Sequence, residues 1–242
     1  LGRVVCPQGH AFDIARSGYI NLLQPQDRRS KNPGDSPAAV KARRIIHELG
    51  ATEALLRDIA RLTGASLDDC VLDIGSGDGF YLGSLFRQIG FQAVGIDISV
   101  PAADAAAKRY PDGEWIVANA DRFIPYADHS FTKVLSLTAR MNCKEFHRVI
   151  HPDGQLLLAV PAPDDLIELR GAGRDRVPRT IEAFALQFQL VEQGRATVTT
   201  ELDAIAVQNL LLSIYRPMQP APPKAGRVTF SLDLLLFQPR KS

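Results

Sequence analysis

From Cys70 to Val160, short apolar runs alternate with amphipathic segments, and this alternation restricts the fold more than any other feature of the chain. Cys70-Val71-Leu72-Asp73-Ile74 reads as a buried strand, Tyr81 to Ile89 as a helix, and Phe91 to Ile96 as the next strand. Pro101 to Tyr110 is an alanine-rich helix, Glu114 to Ala118 a third strand and Phe131 to Leu137 a fourth. A helix over Asn142 to Ile150 precedes a fifth strand, Gln155 to Val160. Parallel strands need crossover connections, and helices returning over a sheet leave its strands buried on both faces. The pattern therefore predicts an α/β fold with a mostly parallel sheet. Farther on, Thr180 to Phe188 and Leu202 to Ile214 read as helices, and Ala196 to Thr200 and Arg227 to Phe237 as strands, which predicts a late hairpin added to the sheet. With 242 residues, 45% of them hydrophobic, the chain can bury one such domain and a small appendage.

The first strand runs into Asp73-Ile74-Gly75-Ser76-Gly77-Asp78-Gly79, which then opens a helix. A glycine motif carries information in that strand-to-helix setting, where glycines let the backbone turn sharply and approach a ligand. Three glycines spaced G-x-G-x-x-G bring a pyrophosphate onto a helix N-terminus. Here the spacing is G-x-G-x-G behind an acid. The Asp73 carboxylate would repel a pyrophosphate and suits the cationic amino-acid end of S-adenosylmethionine. Asp97 closes the next strand, 24 positions after Asp73, where this fold places an acid on ribose hydroxyls. Asp121, after the third strand, can accept from an exocyclic amine such as that of adenine. The expected cofactor set is Asp73, Gly75, Ser76, Gly77, Asp78, Gly79, Asp97, Ile98, Ala120, Asp121 and Thr138. The bland alternative is an ordinary α/β turn whose acids cap helices, and three acids at three successive strand ends weigh against it. Asp78 also suits a helix N-terminus through its charge alone, and Phe80 reads as core.

The net charge is +1, which neither demands nor forbids a nucleic-acid partner. Residues 28 to 44 nevertheless hold Arg28, Arg29, Lys31, Lys41, Arg43 and Arg44 against one acid, Asp35. Within them Lys31-Asn32-Pro33-Gly34-Asp35-Ser36-Pro37 is a turn-rich linker. It suggests an N-terminal module over 1–36 and a main domain over 37–242, with Ser36 capping a helix whose first residue is Pro37. Three cysteines (Cys6, Cys70 and Cys143) make no disulfide framework and suit a reducing cytoplasm. No apolar run is long enough to span a bilayer, so no membrane partner is expected. The chain begins at Leu1 rather than Met, from which further residues upstream are expected.

The segment from about Ser66 to Val160 resembles the class I S-adenosylmethionine-dependent methyltransferases, on Asp73 to Gly79, Asp97 and Asp121. A narrower resemblance rests on Cys6-Pro7-Gln8-Gly9-His10-Ala11-Phe12-Asp13, Gly18-Tyr19-Ile20-Asn21-Leu22-Leu23, Asn32-Pro33-Gly34-Asp35-Ser36 and Ala42-Arg43-Arg44. Ala106-Ala107-Lys108-Arg109-Tyr110-Pro111 and the run from Pro163 to Gly171 extend it. These segments resemble the bacterial large-subunit rRNA guanine-N1 methyltransferases, the RlmA group with its macrolide-resistance members, over most of the chain before about residue 175. The resemblance implies a Rossmann-like, mostly parallel seven-stranded sheet with a C-terminal antiparallel hairpin, preceded by a small zinc-ribbon-like module. It also implies S-adenosylmethionine as cofactor, the 23S rRNA as substrate and a homodimer around RNA.

In that family the module's zinc ligands are a Cys-x-x-Cys pair followed by a Cys-x3-His pair. Only Cys6 and His10 match, and two ligands do not close a tetrahedral structural site. Zinc is expected if a further cysteine pair lies upstream; otherwise the pair has no metal role. Arg28, Arg29, Lys31, Arg43 and Arg44 are the candidate phosphate ligands. Phe12 and Tyr19 either stack on bases or pack the module. The loops after the fourth and fifth strands should face the substrate. They offer Arg140, to hold a phosphate or guanine O6, and Asp164 or Asp165 as base, with Asp165 preferred. Thr52 and Asp165 stand where the family has an aromatic residue and a histidine near the cofactor, a departure from its pattern.

Two absences narrow the chemistry. No Asn/Asp-Pro-Pro-Tyr/Phe motif follows the fourth strand, which argues against amino-group methylation. Cys143 lacks the preceding proline of a cytosine-C5 nucleophile and reads as an incidental cysteine. The expected function is methyl transfer to guanine N1 of 23S rRNA. The alternative is a small-molecule methyltransferase whose N-terminal segment is a lid. An NAD-dependent oxidoreductase, disfavoured by Asp73, and a non-catalytic RNA-binding relative complete the range.

Overall fold

The structure is a computed structural model of the chain, and it describes residues 2–6, 8–24, 26, 33–214 and 223–241. Arg28, Arg29 and Lys31, and most of the proline cluster from Pro217 to Pro223, lie outside the described residues.

The N-terminal segment forms a hairpin of β1 (Arg3–Val5) and β2 (Ala11–Asp13), then a two-residue strand, β3 (Ile20–Asn21). Helices α1 (Pro37–Glu48) and α2 (Glu53–Thr63) follow. Ser36 caps α1 by accepting from the Ala39 N–H at 3.2 Å, with Pro37 in the first turn. Gly64, in the left-handed conformation, ends α2. The expected alternation then appears as β4 (Cys70–Ile74), α3 (Phe80–Ile89), β5 (Gln92–Asp97), α4 (Val100–Arg109), β6 (Glu114–Val117), β7 (Phe131–Leu137), α5 (Cys143–Val149) and β8 (Ile150–Pro161). The tail adds α6 (Ile167–Arg170), α7 (Val177–Phe184), β9 (Phe188–Leu202), α8 (Ala204–Ser213) and β10 (Gly226–Pro239).

The strand order is β3-β6-β5-β4-β7-β8-β10-β9, parallel except for β10, which runs antiparallel to both β8 and β9. Seven of these strands are the expected frame. The eighth, β3, comes from the N-terminal segment and pairs Ile20 with Ile116 and Asn21 with Val117 at the sheet edge. That segment is also held by Ser17 Oγ, which donates to Asp104 at 2.7 Å, and by Leu23, buried in one cluster with Val117 and Ala103.

Alternation along the strands divides the core. Val71 of β4 and Leu157 of β8 face the layer built from α2, α3 and α8. Leu72, Ile74, Leu156 and Leu158 face the layer that holds Phe146 of α5 and Phe184 of α7. The sequence pattern carries the helix at Thr180 through to Phe188, but α7 stops at Phe184 and Phe188 already begins β9. Phe184 and Phe188 are both buried in one cluster, so their i,i+4 spacing mimics a helical stripe across a turn. Beyond them β9 and β10 pair along their whole length, with Arg195 held bidentately by buried Asp233 at 2.8 and 3.2 Å. No helix among the described residues is long and apolar enough to cross a membrane.

Candidate functional site

The parallel strands end on one edge of the sheet, and the loops leaving β4, β5 and β6 meet there. Gly75, Gly77 and Gly79 have φ of +74°, +56° and +76°, a region that side chains with a Cβ rarely adopt. The loop folds back on β5: the Gly75 and Ser76 N–H groups donate to the Ile96 carbonyl at 2.8 and 3.1 Å. Below it Trp115 of β6 fills the space beside Gly79, where an added Cβ would sit 2.5 Å from the ring. The loop glycines thus leave the cleft open above and accept an indole below.

Asp73 is 2% exposed, and its Oδ1 has no hydrogen-bond partner among the described residues. Burial, with the neighbouring Asp97 charge, pushes its carboxyl up to about 7. An unpartnered buried carboxyl oxygen is costly, and a cationic group entering the cleft would relieve it. Asp97 accepts from the Gly77 N–H at 2.9 Å and the Ser99 N–H at 2.8 Å. Burial raises its pKa and those two bonds oppose the shift. Each carboxylate oxygen retains a lone pair for a ribose hydroxyl. Asp121, after β6, pairs with Arg140 at 3.3 Å, and the Asn142 amide donates to the Ala120 and Asp121 carbonyls at 3.3 and 3.0 Å. Ile98 and Ala120, half-buried, follow Asp97 and precede Asp121. Thr138 at the end of β7 has φ of +56° and donates its N–H to Ala159. The acids at three strand ends, the glycine cradle and the orphaned Asp73 oxygen together fit a nucleoside with a cationic amino-acid tail.

Beside Arg140 an open cleft of about 520 Å³ is lined by Asp121, Arg140, Met141, Asn142, Cys143 and Lys144. Arg140, with two-thirds of its side chain exposed, stands at the rim of this cleft. Burial pushes the Cys143 thiol up to about 11, and its Sγ donates to Gln187 Oε1 at 3.0 Å, so it is a poor nucleophile.

Several of the expected site residues have partners within the chain. Asp165 is not a free base: its Oδ1 accepts from the Ser231 N–H at 2.9 Å and its Oδ2 pairs with Arg170. Those contacts tie the turn after β8 to β10. Asp78 is 3% exposed and turned toward α1, where it holds Arg44 at 3.2 Å. Arg44 also donates to the Ala105 carbonyl. Arg43 donates to Asp35 and to the Ser213 carbonyl. Arg43 and Arg44 therefore have partners inside the chain instead of presenting unpaired charge to phosphates. Cys6 Sγ and His10 Nδ1 lie 3.4 Å apart across the β1–β2 turn, in which the Gly9 N–H donates to the Cys6 carbonyl. A tetrahedral zinc site needs four donors, and no group of three possible ligands occurs among the described residues.

Sequence reasoning missed a cluster beside the loop. His47 stacks on Phe80 with centroids 3.9 Å apart, and its Nδ1 hydrogen-bonds Thr52 Oγ1 at 2.7 Å. Burial and the charges of Arg43, Arg109 and Arg44 hold it neutral, with its pKa lowered to about 3. Tyr81 meets both rings edge-on, and burial raises its hydroxyl pKa. Phe80, expected in the core, is half-buried and packs against it.

Comparison with known proteins places the chain in a family. Residues 72–158 match the family model described as a methyltransferase domain, and residues 2–31 match that described as the RlmA N-terminal region. A 23S rRNA (guanine(748)-N(1))-methyltransferase of Streptomyces fradiae is 35% identical over 209 residues, covering 82% of this chain and 74% of that protein. A putative 23S rRNA (guanine-N(1)-)-methyltransferase of Bacillus subtilis is 36% identical over 69% of this chain and 61% of its own length. Among solved structures, a putative methyltransferase in complex with the Haloferax volcanii Trm112 activator superposes with a TM-score of 0.61 at 16% identity, covering 84% of this chain and 95% of that one. A methyltransferase of Thiobacillus denitrificans bound to S-adenosyl-L-homocysteine gives 0.53 at 16% identity, over 76% and 90% of the two chains. These two show the shared fold. The chain is an S-adenosylmethionine-dependent methyltransferase and belongs to the family of the 23S rRNA guanine-N1 methyltransferases.

Proposed function

We propose that the protein methylates N1 of a guanine in 23S rRNA. The orphaned oxygen of Asp73 beneath the glycine loop carries the cofactor half of this reading. S-adenosylmethionine supplies a methyl group on a sulfonium. Asp73 receives the ammonium of its amino-acid end, Asp97 the ribose hydroxyls and Asp121 the adenine amine. Loop residues 75–79 provide close backbone approach. Methyl transfer needs alignment more than covalent help. Guanine N1 gains the methyl carbon as the sulfur–carbon bond breaks, and its proton leaves to solvent or a base. Arg140, at the rim of the open cleft, is placed to hold guanine O6 or a phosphate.

The substrate half is supported by the relatives' activity and by the match of residues 2–31. Arg28, Arg29 and Lys31 are proposed to neutralise phosphates. Zinc is proposed to sit on Cys6 and His10 with two further donors. Radiolabelled S-adenosylmethionine incubated with unmethylated 23S rRNA tests the reading. Label should enter the RNA and produce a primer-extension stop at one guanine, because N1 methylation blocks base pairing. Label that enters no RNA would sink the substrate assignment. Undiminished S-adenosylhomocysteine affinity in Asp97→Ala would sink the cofactor assignment.

A further inference from the structure

Arg43 reaches from α1 over the glycine loop: a Cβ placed on Gly77 would lie 3.6 Å from its Nη1. Nη1 donates to Asp35 Oδ2 at 2.5 Å and Nη2 to the Ser213 carbonyl at 2.7 Å. A guanidinium has five N–H donors, and the described residues give partners to two of them. Asp35 is itself fixed, since its carbonyl accepts from Ser99 Oγ at 2.8 Å at the N-terminus of α4. The Arg43 guanidinium thus lies beside Gly77, the loop residue whose N–H donates to Asp97 at 2.9 Å. The neighbouring cations are committed elsewhere: Arg44 pairs with Asp78 and donates to the Ala105 carbonyl, and Arg140 stands with Asp121 after β6.

An amino-acid tail whose ammonium meets Asp73 also brings a carboxylate, and a carboxylate in a partly buried cleft needs a cation. The planar fork of an arginine matches a carboxylate with two parallel N–H donors. We propose that Arg43 binds the α-carboxylate of the cofactor's amino-acid end, with Asp35 aiming the guanidinium across the glycine loop. The inference rests on the cofactor reading above and removes Arg43 from the RNA-binding set. It also has a mechanical consequence. The residue that clamps the cofactor holds Asp35 in the linker and Ser213 at the end of α8, so an occupied cleft steadies both.

Calorimetric titration of the whole protein tests this with two ligands: S-adenosylhomocysteine and its decarboxylated analogue, which keeps the amine and lacks the carboxylate. Arg43→Met should bind S-adenosylhomocysteine roughly 10- to 100-fold more weakly, the range for one charge-assisted contact, while the analogue's affinity changes less than about threefold. Arg43→Lys keeps the charge without the fork and should lose an intermediate factor for S-adenosylhomocysteine alone. If Arg43→Met does not fold, that selective loss in Arg43→Lys decides the matter. Equal loss for both ligands would make Arg43 a structural residue, and no loss for either would remove it from the site. Failure of the wild-type protein to bind either ligand would overturn the cofactor reading, and this inference with it.

Discussion

Asp73→Asn separates what the buried acid does for stability from what it does for binding. The Asp73 carboxyl is pushed from 3.8 to about 7 in the folded chain. A raised carboxyl pKa means that the folded state holds its proton more tightly than the unfolded state. This stabilises the protein at low pH, and the stability is lost as pH rises from about 4 to about 7. Linkage between those two pKa values costs the wild type about 2.5 kcal/mol between pH 5 and pH 8. Asparagine does not titrate, so the variant is spared that loss. His47 runs the opposite way: its folded pKa is depressed to about 3, so its contribution is lost as pH falls below its unfolded value of 6.5. It is present in both proteins, so it cancels in their difference.

Urea or thermal unfolding of both proteins at pH 5 and pH 8 measures that difference. For a domain of this size each kcal/mol moves Tm by about 2–4 °C. The Asp73→Asn Tm should therefore gain roughly 5–10 °C on wild type in going from pH 5 to pH 8, whatever the fixed cost of burying an amide. Binding should move the other way. Wild-type affinity for S-adenosylhomocysteine should weaken up to tenfold per pH unit below about 7, as the carboxylate is protonated. The variant should bind weakly with no such slope. A Tm difference that is the same at both pH values would refute the raised pKa. A wild-type affinity flat from pH 5 to pH 8 would refute Asp73 as the partner of the ammonium.

Gly79→Ala places a Cβ at φ +76° and 2.5 Å from the Trp115 ring, so unfolding free energy should drop by about 3 kcal/mol. A Tm within a degree of wild type would contradict the packing below the loop. Asp165→Asn should lower stability by roughly 2 kcal/mol, because it weakens a largely buried pair with Arg170 and disturbs the buried Ser231 contact. Loss of the acidic limb of the pH–rate profile, with stability unchanged, would restore Asp165 as a general base. Replacing Arg28, Arg29 and Lys31 together by alanine should reduce the slope of log affinity against log salt for an rRNA fragment by about 2. S-adenosylhomocysteine binding should stay as it is, and an unchanged slope would move the RNA footprint elsewhere. Cys6→Ser should reduce the zinc content of the purified protein, and metal analysis that shows equal zinc would remove the half-site.

The legible part of the site is the part fixed by local order. Asp73, Asp97 and Asp121 each end or follow a strand, and the alternation alone places them on one edge of the sheet. Positive φ at Gly75, Gly77 and Gly79 follows from the loop's close approach to β5. What stayed hidden depends on partners far away in the chain. Arg43 reads as a free cation until Ser213, 170 positions on, supplies its carbonyl. Asp165 reads as a loop acid until Ser231, 66 positions on, satisfies it. Strand β3 has two residues, too few to show any period, and only its pairing with Ile116 and Val117 reveals it. His47 is a lone histidine on a helix until Phe80 stacks on it.

The same contacts explain why charge in this chain is a poor guide to its partner. Asp35 and Asp78 hold Arg43 and Arg44, and those pairs consume cations that composition offers to RNA. Asp73 differs from those two, an acid in the cleft wall with an oxygen that accepts no hydrogen bond from the described residues. Burial of this kind opposes folding at neutral pH, and packing cannot account for it, since asparagine would fill the same volume without the titration. A cation arriving from outside reverses the sign of the cost. A residue that weakens the ligand-free fold is therefore the one from which the cofactor is best inferred, and Arg43, aimed by Asp35 over the same loop, is suited to the carboxylate that accompanies that cation at the same end of the ligand.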